Sequence, residues 1–359
     1  MLKKRLPLAA LMVAFFLFLL WSVSVRQGLL FLVGIGMGAA LAGARFGFTT
    51  GWRQLIESRD PRGVTGQVVL LGLAALMAIP LLASFPELTA ALGPPSVSLI
   101  VGAFVFGLSM QIADGCGSGT LYKAGLGIPL NLGILPLFAI GSFLGSVHLG
   151  GWLSLGQTAP VGLVDLLGAE KALAVTLLGL LLAMLGIRIW VGKGQTWWDK
   201  RWLWGAVALA ILATLNLLIA GQPWGVVYGF GLWAAKVAQA AHWFDPTGNL
   251  FWSQEGNAQI LAQTVLLDVT SITNIGILAG ALWISAGLSD DAKPLTKQQW
   301  IIGLVAGFVM GYSSRLAFGC NIGAMLSGVS TGSLHAWLWI PLAFAGTVIG
   351  VRVRRHYRF

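Results

Sequence analysis

Long uncharged runs leave this chain few ways to fold. Leu203 to Ala220 contains no charged residue, and Leu173 to Trp190 contains only Arg188. Charged residues are 9% of the whole, with a mean hydropathy of +0.83. A water-soluble domain of this size lacks the residues to cover itself, so the solvent is lipid. In lipid, every backbone N–H and C=O must be satisfied within the chain, which restricts spans to helices or closed barrels. Barrel strands alternate polar and apolar in short runs. These runs are long and continuous, so the fold class is an all-α polytopic membrane protein.

The net charge is +10. The basic residues flank apolar spans, as in cytoplasmic membrane loops, and no basic face is interleaved with aromatics. Nucleic acid is therefore not an expected partner. The opening Met1-Leu2-Lys3-Lys4-Arg5 and the apolar run to Val25 could be a signal peptide. The run has the length of a full span, and Arg26 follows it instead of a cleavage site, so an uncleaved first helix is expected.

Apolar segments fall near 6–25, 28–44, 66–85, 97–113, 132–150, 172–191, 202–220, 223–241, 260–287, 299–314 and 332–351. The joints are charged or rich in Gly and Pro, as at Asp60-Pro61-Arg62-Gly63, Gly93-Pro94-Pro95 and residues 290–294. One membrane domain is expected over 1–359. It comprises an extra N-terminal helix (1–27), repeat 1 (28–171), a linking helix with a basic loop (172–201) and repeat 2 (202–359).

The repeat is visible in the residues. The run Gly107 to Gly119 aligns without gaps to Gly311 to Gly323, with six of thirteen positions identical, including Cys116 with Cys320. Upstream, Gly34, Gly36, Ala39 and Ala40 match Gly229, Gly231, Ala234 and Ala235. Internal repeats of this kind typify transporters, with the path at the repeat interface.

Positive charge sets orientation. Lys3, Lys4 and Arg5 place the N-terminus in the cytoplasm. Arg45, Arg53, Arg59 and Arg62 place the next basic loop there, and Arg188, Lys193, Lys200 and Arg201 the joint between halves. Arg352, Arg354, Arg355 and Arg358 place the C-terminus there too. Eleven full crossings cannot leave both termini on one side, so some segments must enter and return. The Gly-Cys segments are the best places, being too glycine-rich for regular helix. Irregular backbone at that depth is tolerated only inside protein or beside a cavity. The expected architecture is two pseudo-symmetric, inverted repeats with short or re-entrant helices around a central Gly-Cys waist.

Gly115, Gly117 and Gly119 let the backbone turn tightly and bring N–H groups close to a ligand, while Ser118 and Thr120 offer hydroxyls. A half-helix beginning here would aim free N–H groups and partial positive charge at the membrane midplane, and Lys123 adds a full charge. The set suits a small anion. The second copy offers Gly319, Cys320, Asn321, Gly323 and Ser327, with Arg315 five residues before the cysteine. The two cysteines form no Cys-x-x-Cys and have no His at zinc-ligand spacing, so no metal site is expected. A disulfide is possible on count alone, but chemistry argues for free thiols. A thiol is a weak donor and a polarizable weak acceptor, suited to a soft ligand with a terminal sulfur. A lone buried cysteine is more often apolar filler. Equivalent positions in two repeats favour function.

These residues resemble a known family. Gly115 to Tyr122, Arg315 to Ala324 and Ser333 to Trp337 look like the YeeE/YedE sulfur-transport family, from about residue 28 onward. The helix at 6–25 looks like an N-terminal addition. The resemblance implies uptake of thiosulfate or a related reduced-sulfur anion across the bacterial inner membrane. It further implies an hourglass-shaped helical fold, with cysteines passing the ligand by transient S–H···S hydrogen bonds. Cys116 and Cys320 carry over. Members often have a third cysteine in the first repeat, where this chain has Gly47. Thr49 and Thr50 offer a hydroxyl there instead. A small TusA/SirA-like sulfur-carrier protein is a partner by resemblance only.

Other polar residues allow two interpretations. Lys236 and Asp268 lie in apolar segments, where such groups pair or line a pathway. Asp114 would repel a dianion unless paired with Lys123 or Arg315, or protonated. Arg45 and Arg53 are expected as orientation charges, His148 and His335 as interfacial or capped, and the sixteen tryptophans mostly as interface anchors. No nucleotide- or cofactor-binding motif is present. The alternatives are transport of another sulfur or selenium species, or a membrane sulfurtransferase using a Cys persulfide, which needs a low-pKa thiolate near basic groups.

Overall fold

The computed structural model describes residues 2–286 and 294–359, with side chains from Arg5 onward. The side chains of Lys3 and Lys4 and the joint at 290–293 lie outside the described residues. The described chain is helical throughout, with two isolated β-bridges and no strand.

The first half runs through α1 (Leu2–Ser22), α2 (Val25–Gly43), α3 (Phe48–Ser58), α4 (Arg62–Ser84), α5 (Val97–Ile112), α6 (Gly117–Gly125) and α7 (Pro129–Leu153). A short α8 (Leu163–Leu167) and the long α9 (Ala169–Val191) lead to α10 (Lys200–Ala220). Then come α11 (Val227–Ala240), α12 (Glu255–Ala262), α13 (Val269–Ser285), α14 (Lys297–Leu316), a π-helical turn (Asn321–Leu326), α15 (Ser327–Ser330) and α16 (Leu334–His356).

Starts and stops follow local chemistry. Ser24, Ser96 and Asp199 accept backbone N–H groups at the starts of α2, α5 and α10, satisfying donors that lipid could not. Thr296 and Gln299 form a reciprocal capping box at α14. Gly221, with φ +69, ends α10.

Among the described residues, nine helical stretches are long and apolar enough to cross a membrane. This differs from the eleven apolar segments of the sequence. The segment at 223–241 holds only the 14-residue α11, and that at 260–287 is broken. A 3-10 turn at Val265–Leu267 and the N-cap Asp268 separate α12 from the 17-residue α13. The break has a polar cause: Asp268 accepts from the Ser271 backbone N at 2.7 Å and from its hydroxyl at 2.5 Å. Of the two interpretations of Lys236 and Asp268, the ion pair does not form among the described residues, and Asp268 lines a cavity. Lys236 donates instead to the carbonyls of Ile260, Leu261 and Gln263 at the end of α12.

Glycine brings the helices together in three pairs. A Cβ at Gly34 or Gly276 would fall under 3.0 Å from backbone of the partner in the α2–α13 pair. The same holds for Gly107 and Gly346 between α5 and α16, and for Gly141 and Gly311 between α7 and α14. Neighbours advance together: Phe31 meets Gly276 and Ile35 meets Gly280, while Phe104 meets Gly346 and Leu108 meets Gly350. The helices of each pair therefore run in the same direction. Lipid offers no hydrophobic drive for association, and small residues at four-residue spacing permit dispersion contacts between backbones instead.

The bundle has two distinct ends. At one, Arg355 meets Glu57 at 2.8 Å, and Gln299 donates to the carbonyls of Tyr357 and Arg358. There too Arg62 grips Asp60 at 2.6 Å and holds its carboxyl below the usual carboxylate range. At the other, Arg26 donates to Ile219 and Ala220, and the Thr89 N–H donates to Gly221. Tryptophan use departs from the interfacial expectation, since Trp224, Trp252 and Trp339 are among the largest fully buried side chains.

Gly107→Ala should lower the melting temperature of the detergent-solubilised protein, because overpacking costs about 1–3 kcal/mol. Gly151→Ala, whose new methyl meets nothing within 4 Å, should leave it unchanged or raise it. Equal melting of wild type and Gly107→Ala would rule out the close packing.

Candidate functional site

Two similar turns meet inside the bundle. In the first, α5 ends at Ile112 and Asp114 adopts φ +53. Cys116 then takes φ −83 and ψ −170 as the N-cap of α6. In the second, α14 ends at Leu316, Phe318 adopts φ +58, and Cys320 takes φ −94 and ψ −168 as the N-cap of the π-turn. Left-handed backbone at a phenylalanine is costly and persists only where its surroundings enforce it.

Both thiols are free and buried. The Cys116 Sγ lies 3.4 Å from the Ser118 hydroxyl, and the Ile322 backbone N–H donates to the Cys320 Sγ at 3.4 Å. The two turns touch: a Cβ at Gly117 would stand 3.1 Å from the Cys320 Sγ. Gly119 is similarly close to Cys116, at 3.5 Å. Glycine thus lets the first turn of α6 lie against both sulfurs. Each sulfur sits at a helix start, where unpaired N–H groups carry partial positive charge. Regular helix over Gly117–Gly125 corrects the expectation of irregular backbone there, because burial on all sides outweighs weak helix propensity.

Several buried polar atoms here find no protein partner among the described residues. They are the Thr120 hydroxyl, the Thr49 hydroxyl, and both amide atoms of Asn321. Buried polar groups are ordinarily bonded, so these mark places where a polar ligand or water would be favoured. Gly47 is the N-cap of α3, and a Cβ there would stand 3.0 Å from the Thr50 hydroxyl.

A cavity of 630 Å³ reaches the second turn from the Arg26 end of the bundle. Phe318, Gly323 and Ser327 of the second turn line it together with Trp224, Tyr228, Asn257, Asp268, Gln222 and Arg26. The Ser327 hydroxyl donates to the Trp224 carbonyl at 2.6 Å. Sequence reasoning missed Tyr228, Asn257 and Gln222. Nothing in their spacing marks them, because they converge from segments that the fold alone brings together.

The charges fall only partly as the sequence suggested. Asp114 pairs with Lys123, one of the two partners expected for it, and the Nζ at 2.6 Å from the carboxylate does not stand free for an anion. Arg53 joins that carboxylate at 3.0 Å and Arg354 at 3.3 Å, so Arg53 is more than an orientation charge. Arg315 does not pair with Asp114. Its guanidinium lies 4.6 Å from the Phe251 ring centroid and 5.7 Å from that of Tyr228, and its Nε finds no partner among the described residues. His335 is buried and bonded to Ser333, whereas His148 is exposed and meets the Tyr312 hydroxyl.

The fold and the site define a multi-pass helical membrane protein with two buried, thiol-bearing helix starts in contact. The family model described as sulphur transport matches residues 43–349, and the chain belongs to that family. It is similar to the thiosulfate transporter TsuA of Spirochaeta thermophila, with 28% identity over 86% of this chain and 92% of that protein. It is also similar to the thiosulfate transporter TsuA of Escherichia coli, at 22% over 89% and 90% respectively. The probable transporter YedE of Salmonella typhimurium matches at 28% over 45% of this chain and 40% of its own length.

Burial of both thiols has a direct consequence. A hydrophilic maleimide should label the folded protein at least an order of magnitude more slowly than the denatured chain. Rapid labelling of both cysteines in the folded protein would contradict the closed packing around Gly117.

Proposed function

We propose that this protein carries thiosulfate or a closely related reduced-sulfur anion across the bacterial inner membrane, past Cys116 and Cys320. The observation that carries this is the contact of Gly117 with the Cys320 thiol, which sets two sulfur-bearing helix starts against each other. A thiol can donate weakly to, and be polarised by, a terminal sulfur. The helix-start N–H groups of α6 and the π-turn, with Ser118, Thr120 and Asn321, would take the oxygens. Gly115 and Gly319 supply the bends, and Gly323 and Ser327 form the approach from the cavity. Arg315 adds positive potential behind that approach. The names of the full-length relatives point to the same cargo.

The path runs through a waist between inverted repeats. The matched φ values of Asp114 and Phe318, and of the two cysteines, support this. So do the helix directions. The end of α5 approaches Arg354 near the end of α16, whereas α14 begins beside Tyr357. Thus α5 and α14, which hold the equivalent cysteines at their ends, point opposite ways. The basic end faces the cytoplasm with both termini, and the cavity faces outward. Cysteine-accessibility mapping that put residues 193 and 357 on opposite sides would overturn this orientation.

Proteoliposomes containing the wild type should accumulate radiolabelled thiosulfate, and equimolar sulfate should compete poorly because it lacks the terminal sulfur. Cys116→Ala and Cys320→Ala should each reduce uptake to near the protein-free background while keeping the wild-type gel-filtration profile. If both folded variants transport like the wild type, the thiols are not in the path.

A further inference from the structure

The two matched turns differ in what fills the position two residues before the cysteine. On the cavity side it is Phe318, which lines open space. On the opposite side it is Asp114, and its carboxylate is held by three cations from three helices. Lys123 of α6 meets one oxygen, and Arg53 of α3 and Arg354 of α16 meet the other. Three cations around one carboxylate leave two positive charges without an acidic partner in the cluster. The nearby Glu57 pairs with Arg355 instead.

Two of the three cations have a second anchor besides the carboxylate. Arg354 also donates to the Gln111 carbonyl at 2.9 Å, and Lys123 donates to the Asp114 main-chain carbonyl at 2.5 Å. The cluster is not sealed: the Asp114 side chain is 26% exposed and those of the three cations 13–17%.

We propose that Arg53, Lys123 and Arg354 form an oxyanion seat at the closed end of the path, filled by Asp114 as a tethered counter-anion that a small divalent oxyanion displaces. The inference rests on the transport reading for its place in the path. The chemistry is that of carboxylate exchange for another oxyanion. Guanidinium and ammonium groups bind either through charge-assisted hydrogen bonds. A trigonal –SO3 end offers one oxygen to each cation, where a carboxylate must share one oxygen between two. A dianion also neutralises the excess charge that Asp114 leaves. Asp114 closes the inner side when no cargo is present, and exchange with cargo opens the turn that carries Cys116.

The test uses the full chain purified in detergent, melted in rising sodium thiosulfate or sodium sulfate at constant ionic strength. Asp114→Asn should melt lower than the wild type without these anions. Both anions should then raise its melting temperature more than they raise that of the wild type, with half-maximal effect at several-fold lower concentration. Sulfate should act here because the seat reads oxygens rather than the terminal sulfur. Adding Arg354→Gln to Asp114→Asn should abolish the gain. Asp114→Gly is the second variant, since glycine accepts φ +53 without strain and also lacks the carboxylate. An anion response in both variants equal to or smaller than that of the wild type would overturn the seat. Wild-type proteoliposomes that take up no thiosulfate would instead sink the transport reading, while the melting response still reports on the seat.

Discussion

The rest of the structure depends on backbone-to-backbone contact at glycine. Helices in lipid are not driven together by water, so they must gain by close approach. Gly107 against Ala343, Gly346 against Phe104, and Gly141 against Phe308 supply that approach. These contacts fix the ends of α5 and α14. The turns that follow must then satisfy their own polar groups in a dry interior. Helix starts at Gly117 and Asn321, with a cysteine at each N-cap, are the local solution.

This arrangement makes the two sides of the centre unequal. On the Arg26 side, a 630 Å³ cavity descends to Phe318 and Gly323. On the other, Asp114 and its three cations cross-link α3, α6 and α16 beneath Cys116. The described conformation has its large cavity toward one face and the Asp114 ion cluster toward the other.

Much of this was legible in the sequence where the signal is local. The run Gly115 to Gly119 announced a tight turn and a helix start, and the match of Cys116 with Cys320 announced a second one. Sulfur-transport family membership followed from the same motifs. What stayed hidden was long-range. Arg53 and Arg354 are 61 and 240 residues from Asp114, so no spacing rule joins them. Arg315 looked like a partner for Asp114 because both flank cysteines, but it faces Phe251 on a different side of the bundle. The apolar run at 260–287 concealed a break because Asp268 caps a helix there, a role that composition does not distinguish from pairing. Burial of Trp224 and Trp252 departs from the expectation that the tryptophans are mostly interfacial, since aromatic content alone does not separate core from rim.

The most direct measurement of the central claim is a cryo-EM reconstruction of the full chain in lipid nanodiscs with saturating thiosulfate, compared with a matched sample in sulfate. The account expects ligand density between the Cys116 and Cys320 sulfurs, with its oxygens toward Asn321 and the helix starts, in the thiosulfate sample alone. Unbroken van der Waals packing of Gly117 on Cys320, with thiosulfate density elsewhere, would contradict it.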